Sequence, residues 1–126
     1  MKTETVDGVS FETWTVEETA KAFAANDIVL IDVRTPQEYM FEHIEGALLF
    51  PMSFFSSEKL PAQDGKRIVF HCGSGVRSGR VATACAMAGI TPVAHMEGGF
   101  GAWKAAGMPY MGTDMASGAP TKVPAK

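Results

Sequence analysis

Hydrophobic positions along this chain follow two spacings. Ile28-Val29-Leu30-Ile31-Asp32-Val33 is a continuous apolar run broken only by Asp32, which predicts a strand covered on both faces. Arg67-Ile68-Val69-Phe70, with His71 at its end, predicts a second buried strand. Ala47–Phe50 and Val93–Met96 predict two shorter ones. Between them the spacing turns helical. Thr15-Val16-Glu17-Glu18 has the form of a capping box, and a helix from it to about Ala25 puts Val16, Ala20, Phe23 and Ala24 on one side. Pro36 suits the first position of a short helix reaching about Phe41. Residues 56–60 predict a short helix, 78–88 a longer one closed by Gly89, and 100–106 one or two turns stopped at Gly107. His43–Gly46 reads as a turn and Gly98-Gly99 as a flexible one.

Strands alternating with helices predict an α/β fold, a parallel sheet of about five short strands with helices on both faces. Sites in such sheets lie at the carboxyl ends of strands. Cys72 is placed there, and Asp32 and Arg34 end another strand beside the same crevice. Residues 1–110 form one domain on this reading. Residues 111–126 carry Gly, Pro, Ser and Thr with little to bury, which predicts an extended or mobile end.

Composition narrows the function classes. A hydrophobic fraction of 46% against 20% charged residues suits a globular core. A net charge of −3 argues against nucleic acid or an anionic membrane as the main partner. No apolar run is long enough to span a bilayer, and Met1–Asp7 lacks the basic and apolar regions of a signal peptide. Two cysteines are too few for a disulfide scaffold, so a reducing cytoplasm is the expected setting. Three scattered histidines suggest no metal.

The chemistry concentrates in His71-Cys72-Gly73-Ser74-Gly75-Val76-Arg77-Ser78. A cysteine at a strand end, a glycine-bearing loop and a helix start together make an anion-binding thiolate. Gly73 and Gly75 let the loop curl so that successive N–H groups face one point. The helix start adds partial positive charge and Arg77 a full one. Each lowers the pKa of Cys72 and makes it a nucleophile. Other residues read more plainly. Cys85 belongs to core packing, with a redox partner or resolving thiol as the alternative, Ser78 to helix capping, Asp32 and Arg34 to a supporting ion pair, and Phe100 and Trp103 to the core or its rim. His71 points away from the site by strand alternation, and His43 suits a bond to a neighbouring carbonyl. Arg80 divides evenly between widening the positive field and a solvated face. Phe54-Phe55 is either a small docking patch or packed into the domain.

Several segments in order carry a resemblance: Ile31–Arg34 with Glu38-Tyr39, His43–Ala47, His71–Ser78, and Glu97–Trp103 closing with Gly107-Met108-Pro109. Spread over roughly residues 14–109, they resemble a single-domain rhodanese, a sulfurtransferase. The resemblance implies that Cys72 takes a sulfane sulfur from a donor such as thiosulfate and passes it, as a persulfide, to cyanide or a thiol. The backbone of Gly73, Ser74, Gly75, Val76 and Arg77 would cradle that sulfur and Arg77 would hold the anionic donor. It implies no metal and no organic cofactor. Acceptors of this kind include glutathione, a thioredoxin-like dithiol or a sulfur-relay protein, which leaves a persulfide carrier within a relay as an alternative. Four residues separate Cys72 from Arg77. Phosphatases and arsenate reductases on such loops need a longer cradle, which makes them the weaker reading.

Overall fold

A computed structural model describes residues 1–126. In chain order the strands and helices are β1 (Lys2–Val6), β2 (Val9–Trp14), α1 (Val16–Ala24), β3 (Ile28–Asp32), α2 (Pro36–Phe41), β4 (Leu48–Leu49), β5 (Arg67–His71), α3 (Val76–Met87), β6 (Ala94–Met96), α4 (Gly99–Ala105), β7 (Tyr110–Thr113) and β8 (Pro120–Val123). Single 3₁₀ turns lie at Met52–Phe54 and Ser57–Lys59. The main sheet runs β1-β2-β6-β5-β3-β4. Every neighbouring pair is parallel except β1 with β2. The expected five-strand parallel sheet is therefore present, extended by one antiparallel edge strand.

That edge was not anticipated. Thr3, Glu4, Thr5, Glu12 and Thr13 break up the apolar positions of residues 2–14, so neither strand of the hairpin stands out by hydrophobicity. Its turn does carry a signal: Asp7 and Gly8 both take positive φ (51° and 81°), the Asp-Gly form that matches hairpin twist.

Alternation along the central strands divides the core. Ile31, Val33, Ile68 and Phe70 pack with Val81, Ala82, Cys85 and Ala86 of α3. Ile28, Leu30 and Val69 face the other way, toward Val16, Phe100 and Trp103. Burial of both faces explains why β3 and β5 read as nearly unbroken apolar runs. Thr15 and Glu18 form the capping box expected at α1. Thr35 and Glu38 form a second at α2, with Pro36 in the first turn.

The end of the chain corrects an expectation. Residues 111–126 are not an extended or mobile tail. Tyr110–Thr113 and Pro120–Val123 pair as an antiparallel hairpin. Met111 exchanges two backbone bonds with His43 (2.9 and 2.7 Å), and Lys126 N–H donates to Gly107 O (2.9 Å). The small polar residues that suggested mobility build the turn instead: Asp114 Oδ1 accepts from Ala116 N–H and Gly118 takes φ +75°.

Candidate active site

Cys72 follows β5 directly and is buried. Gly75 N–H donates to its Sγ at 3.0 Å. Gly75 can do so because it takes φ +102°, a conformation that suits glycine. The Ser78 Oγ lies 3.6 Å from the sulfur, and the backbone N–H groups of Ser74 and Ser78 also favour its thiolate form. Burial alone would raise the thiol pKa, but these bonds outweigh it and bring Cys72 below its ordinary value.

The loop is braced from behind. Phe100 N–H donates to Cys72 O (2.7 Å) and Gly101 N–H to Gly73 O (3.1 Å). Those bonds take up the loop's outward carbonyls and leave its N–H groups for the sulfur. A Cβ at Gly99 would stand 2.5 Å from Cys72 O and 2.6 Å from Gly73 C. Gly98-Gly99 is thus a close-packed brace and not the flexible turn expected from its composition.

Arg77 lies on the first turn of α3. Its guanidinium donates to Glu38 Oε1 and Oε2 at 2.7 and 3.0 Å. The hydrogen bonds from Arg77 hold the Glu38 carboxyl at about 2. Arg77 is raised in turn, chiefly by its bonds to Glu38, with smaller contributions that include the charge on Cys72. A Cβ at Gly73 would meet its Nη2 at 3.1 Å, so the positive group borders the loop. Val76 turns an exposed side chain outward at the rim.

Ser78 corrects a second expectation. The N-cap of α3 is Gly75, and Ser78, three residues on, does not cap. Its hydroxyl lies between Cys72 Sγ and His95 Nδ1 (2.9 Å). Sequence inspection missed His95 because 22 residues lie between it and Cys72 in the chain. Strand register brings them together: His95 pairs with Phe70, two residues before Cys72.

Asp32 and Arg34 form a buried fork, with Arg34 Nη2 to Asp32 Oδ2 at 2.8 Å and Nε to Oδ1 at 3.0 Å. Arg34 also reaches Glu42 O (2.7 Å) and lies over the Phe100 ring at 4.6 Å. None of these bonds touches Cys72. The pair fastens β3 to the end of α2 and to α4. His71 is fully buried, and burial pushes its pKa down. His43 Nδ1 bonds Tyr39 O (2.8 Å). Cys85 is buried in the apolar cluster under α3, and burial pushes its thiol up to about 11. Arg80 is exposed. Phe54 and Phe55 divide: Phe54 is exposed, while Phe55 packs edge-on to Phe70. A cavity of about 510 Å³ between α1, α4 and the final hairpin includes no residue of the Cys72 loop.

A rhodanese-like domain model matches residues 15–106. The chain belongs to the rhodanese-like family. A sulfurtransferase of Allochromatium vinosum is 31% identical over 85 residues, covering 68% of this chain and 79% of that protein. The uncharacterized protein slr1261 of Synechocystis is 41% identical over 86 residues, covering 68% of this chain and 48% of its own length. The thiosulfate sulfurtransferase structure from Pseudomonas aeruginosa matches at TM-score 0.70 and 25% identity, over 81% of this chain and 20% of that one. This rhodanese-like domain thus spans about half of one relative and a fifth of another. The loop, its Gly98-Gly99 brace and the Asp32–Arg34 fork all fall inside the matched region. No helix is long and apolar enough to cross a membrane.

Proposed function

We propose that this rhodanese-like domain is a thiosulfate sulfurtransferase that carries sulfur on Cys72. The observation that carries the reading is the convergence of Gly75 N–H, at 3.0 Å, and the Ser78 hydroxyl on a buried Cys72 sulfur. In the first step the Cys72 thiolate attacks the outer sulfur of thiosulfate. A new S–S bond forms, the bond between that sulfur and the sulfonate breaks, and sulfite leaves with the electron pair. Negative charge now rests on the outer sulfur of the persulfide. The backbone N–H groups are fixed before that charge arrives, so no reorganisation opposes it. In the second step cyanide or a thiolate attacks the outer sulfur, and the Cys72 thiolate is restored. Thiocyanate or an acceptor persulfide is released, and ping-pong kinetics follow. Arg77, at the rim beside Gly73, holds the sulfonate end of the donor. The acceptor in the cell, a reducing cytoplasm on this reading, is a small thiol or a protein dithiol.

Intact-protein mass after brief exposure to thiosulfate tests the proposal. The expected result is a gain of one sulfur atom, removed by cyanide and not seen in Cys72→Ser. A wild-type protein that gains no sulfur from thiosulfate overturns it.

A further inference from the structure

His95 is a buried imidazole that the two displacement steps leave without a task. It stands on β6 with its Nδ1 2.9 Å from Ser78 Oγ. Its Nε2 is 3.2 Å from Thr13 Oγ1 on β2 and 3.9 Å from Glu4 Oε2 on β1. Thr13 Oγ1 in turn donates to the Glu4 carboxylate. Phe11 closes the side of the ring at 5.5 Å. A continuous line of polar atoms therefore runs from Cys72 through Ser78, His95 and Thr13 to Glu4, across three strands and the first turn of α3.

Each hydroxyl on this line has one proton to give. Thr13 gives its proton to Glu4, so Nε2–H of His95 donates to Thr13. That leaves Nδ1 of a neutral ring without a proton, facing Ser78. Ser78 Oγ has two acceptors in reach, Gly75 O at 3.3 Å and Nδ1 at 2.9 Å; its O–H donates to the nearer Nδ1, and its oxygen is open to the Cys72 S–H. We propose that His95 is a positioning and proton-relay residue that takes up the Cys72 proton through Ser78 when the thiolate forms. The sulfur's proton passes to Ser78 Oγ while the Ser78 proton passes to His95 Nδ1. The product is a Cys72 thiolate accepting from Ser78 O–H and an imidazolium bonded on both nitrogens. The Glu4 carboxylate, reached through Thr13, stabilises that imidazolium. A nucleophile, a base within hydrogen-bond reach and a third group orienting the base is a recurrent catalytic arrangement, here lengthened by one hydroxyl on each side of the base.

The charges around the relay suit this role. Burial disfavours the imidazolium, while Glu4 and Glu97 favour it and Lys2 opposes it. The net effect holds the ring below its ordinary value. On the sulfur side Arg77 is the charged neighbour, and His71, adjacent in sequence, has its own Nδ1 near Cys72 O at 3.2 Å and not near the sulfur.

The inference concerns the ionisation of Cys72 in the site proposed above and can be tested without any sulfur donor. Cys85→Ala leaves Cys72 as the one thiol, and its alkylation by iodoacetamide is followed against pH. His95→Phe is expected to move the ionisation midpoint upward by about one unit, lowering reactivity about tenfold at pH below the wild-type midpoint. Ser78→Ala should move it in the same direction. The double variant should be no worse than Ser78→Ala alone, because both act on one path. If His95→Phe does not fold, Thr13→Val, which cuts the ring from Glu4 at constant shape, should lower reactivity below the wild-type midpoint about threefold. An unmoved midpoint in the variant that folds, or full additivity in the double, overturns the relay. A normal midpoint shift with no sulfur uptake would count against thiosulfate alone. Sulfur uptake with a midpoint indifferent to His95 would count against the relay alone.

Discussion

Arg77 and Glu38 meet fork to fork, at 2.7 and 3.0 Å, and join the first turn of α3 to the first turn of α2. Glu38 serves two structures at once, since its Oε1 also accepts from Thr35 N–H and closes the cap of α2. The rim cation is thus fixed in place and partly neutralised.

Glu38→Gln should leave the positive charge of Arg77 uncompensated beside the loop. An anionic donor then binds more tightly, and the KM for thiosulfate should fall about threefold with kcat nearly unchanged, the size expected of a partly exposed pair. The gain should fade at high ionic strength. Steady-state kinetics at two salt concentrations check this, and a KM that rises would place the role of Glu38 in orientation. The same pair has an acid signature. The folded Glu38 carboxyl, at about 2, lies below the ordinary glutamate value of 4.5, so its contribution to stability is complete above that ordinary value and is lost as pH falls toward 2. The Tm difference between wild type and Glu38→Gln should close over that interval.

Much of this arrangement is visible in the chain. The β3 and β5 runs are legible because both their faces are buried, and the loop is legible because Cys72, Gly75 and Arg77 are local to one another. Contacts set by register are not. Nothing in the spacing of His95 points to Ser78, because only the alignment of β6 against β5 brings them together. Ser78 was misread for a related reason: helix α3 starts two residues earlier than its apolar pattern suggests, at Val76, which moves Ser78 from the cap into the first turn. The two hairpins at the chain ends were missed because their outer strands, β1 and β8, bury little and are held mainly by backbone bonds, to which hydrophobic patterning is blind.

The two cysteines should differ sharply in reactivity. Cys72 is depressed by its hydrogen bonds against the cost of burial, whereas burial alone carries Cys85 to about 11. Alkylation of the folded protein at neutral pH should label Cys72 and spare Cys85, as peptide mapping would show. Linkage gives a further sign. A depressed thiol stabilises the folded state above the unfolded pKa, and that contribution disappears as pH falls through the folded value. The Tm of wild type should therefore gain on that of Cys72→Ser as pH rises through the ionisation of Cys72. Equal slopes would mean that the folded protein does not favour the thiolate.

Asp32 is fully buried against Arg34, and removing it strands a guanidinium in the core. Asp32→Ala should cost about 3–5 kcal/mol, the range for breaking a buried pair, measurable by denaturant unfolding. Asp32→Asn keeps the shape and one acceptor oxygen and should cost less. If the fork only supports the fold, the fraction of Asp32→Asn that folds should load sulfur at the wild-type rate.

Gly99 tests whether the brace behind the loop sets the geometry of the site. It takes φ +61°, and an added Cβ would fall 2.5 Å from Cys72 O, 2.6 Å from Gly73 C and 2.7 Å from Gly73 O. All three are backbone atoms, so no side chain can swing aside to make room. Gly99→Ala must push α4 from the loop or push the loop toward the sulfur. Either movement breaks the bonds from Phe100 N–H and Gly101 N–H. Strained backbone costs about 1–3 kcal/mol, and the lost packing adds to it. The expected outcome is a lower Tm together with slower sulfur loading on Cys72 in the folded fraction. Gly101→Ala is the control, because its Cβ would stand 3.4 Å from Gly73 O and should be tolerated. If Gly99→Ala loses stability but loads sulfur at the wild-type rate, the brace supports the fold without setting the positions of the N–H groups around Cys72.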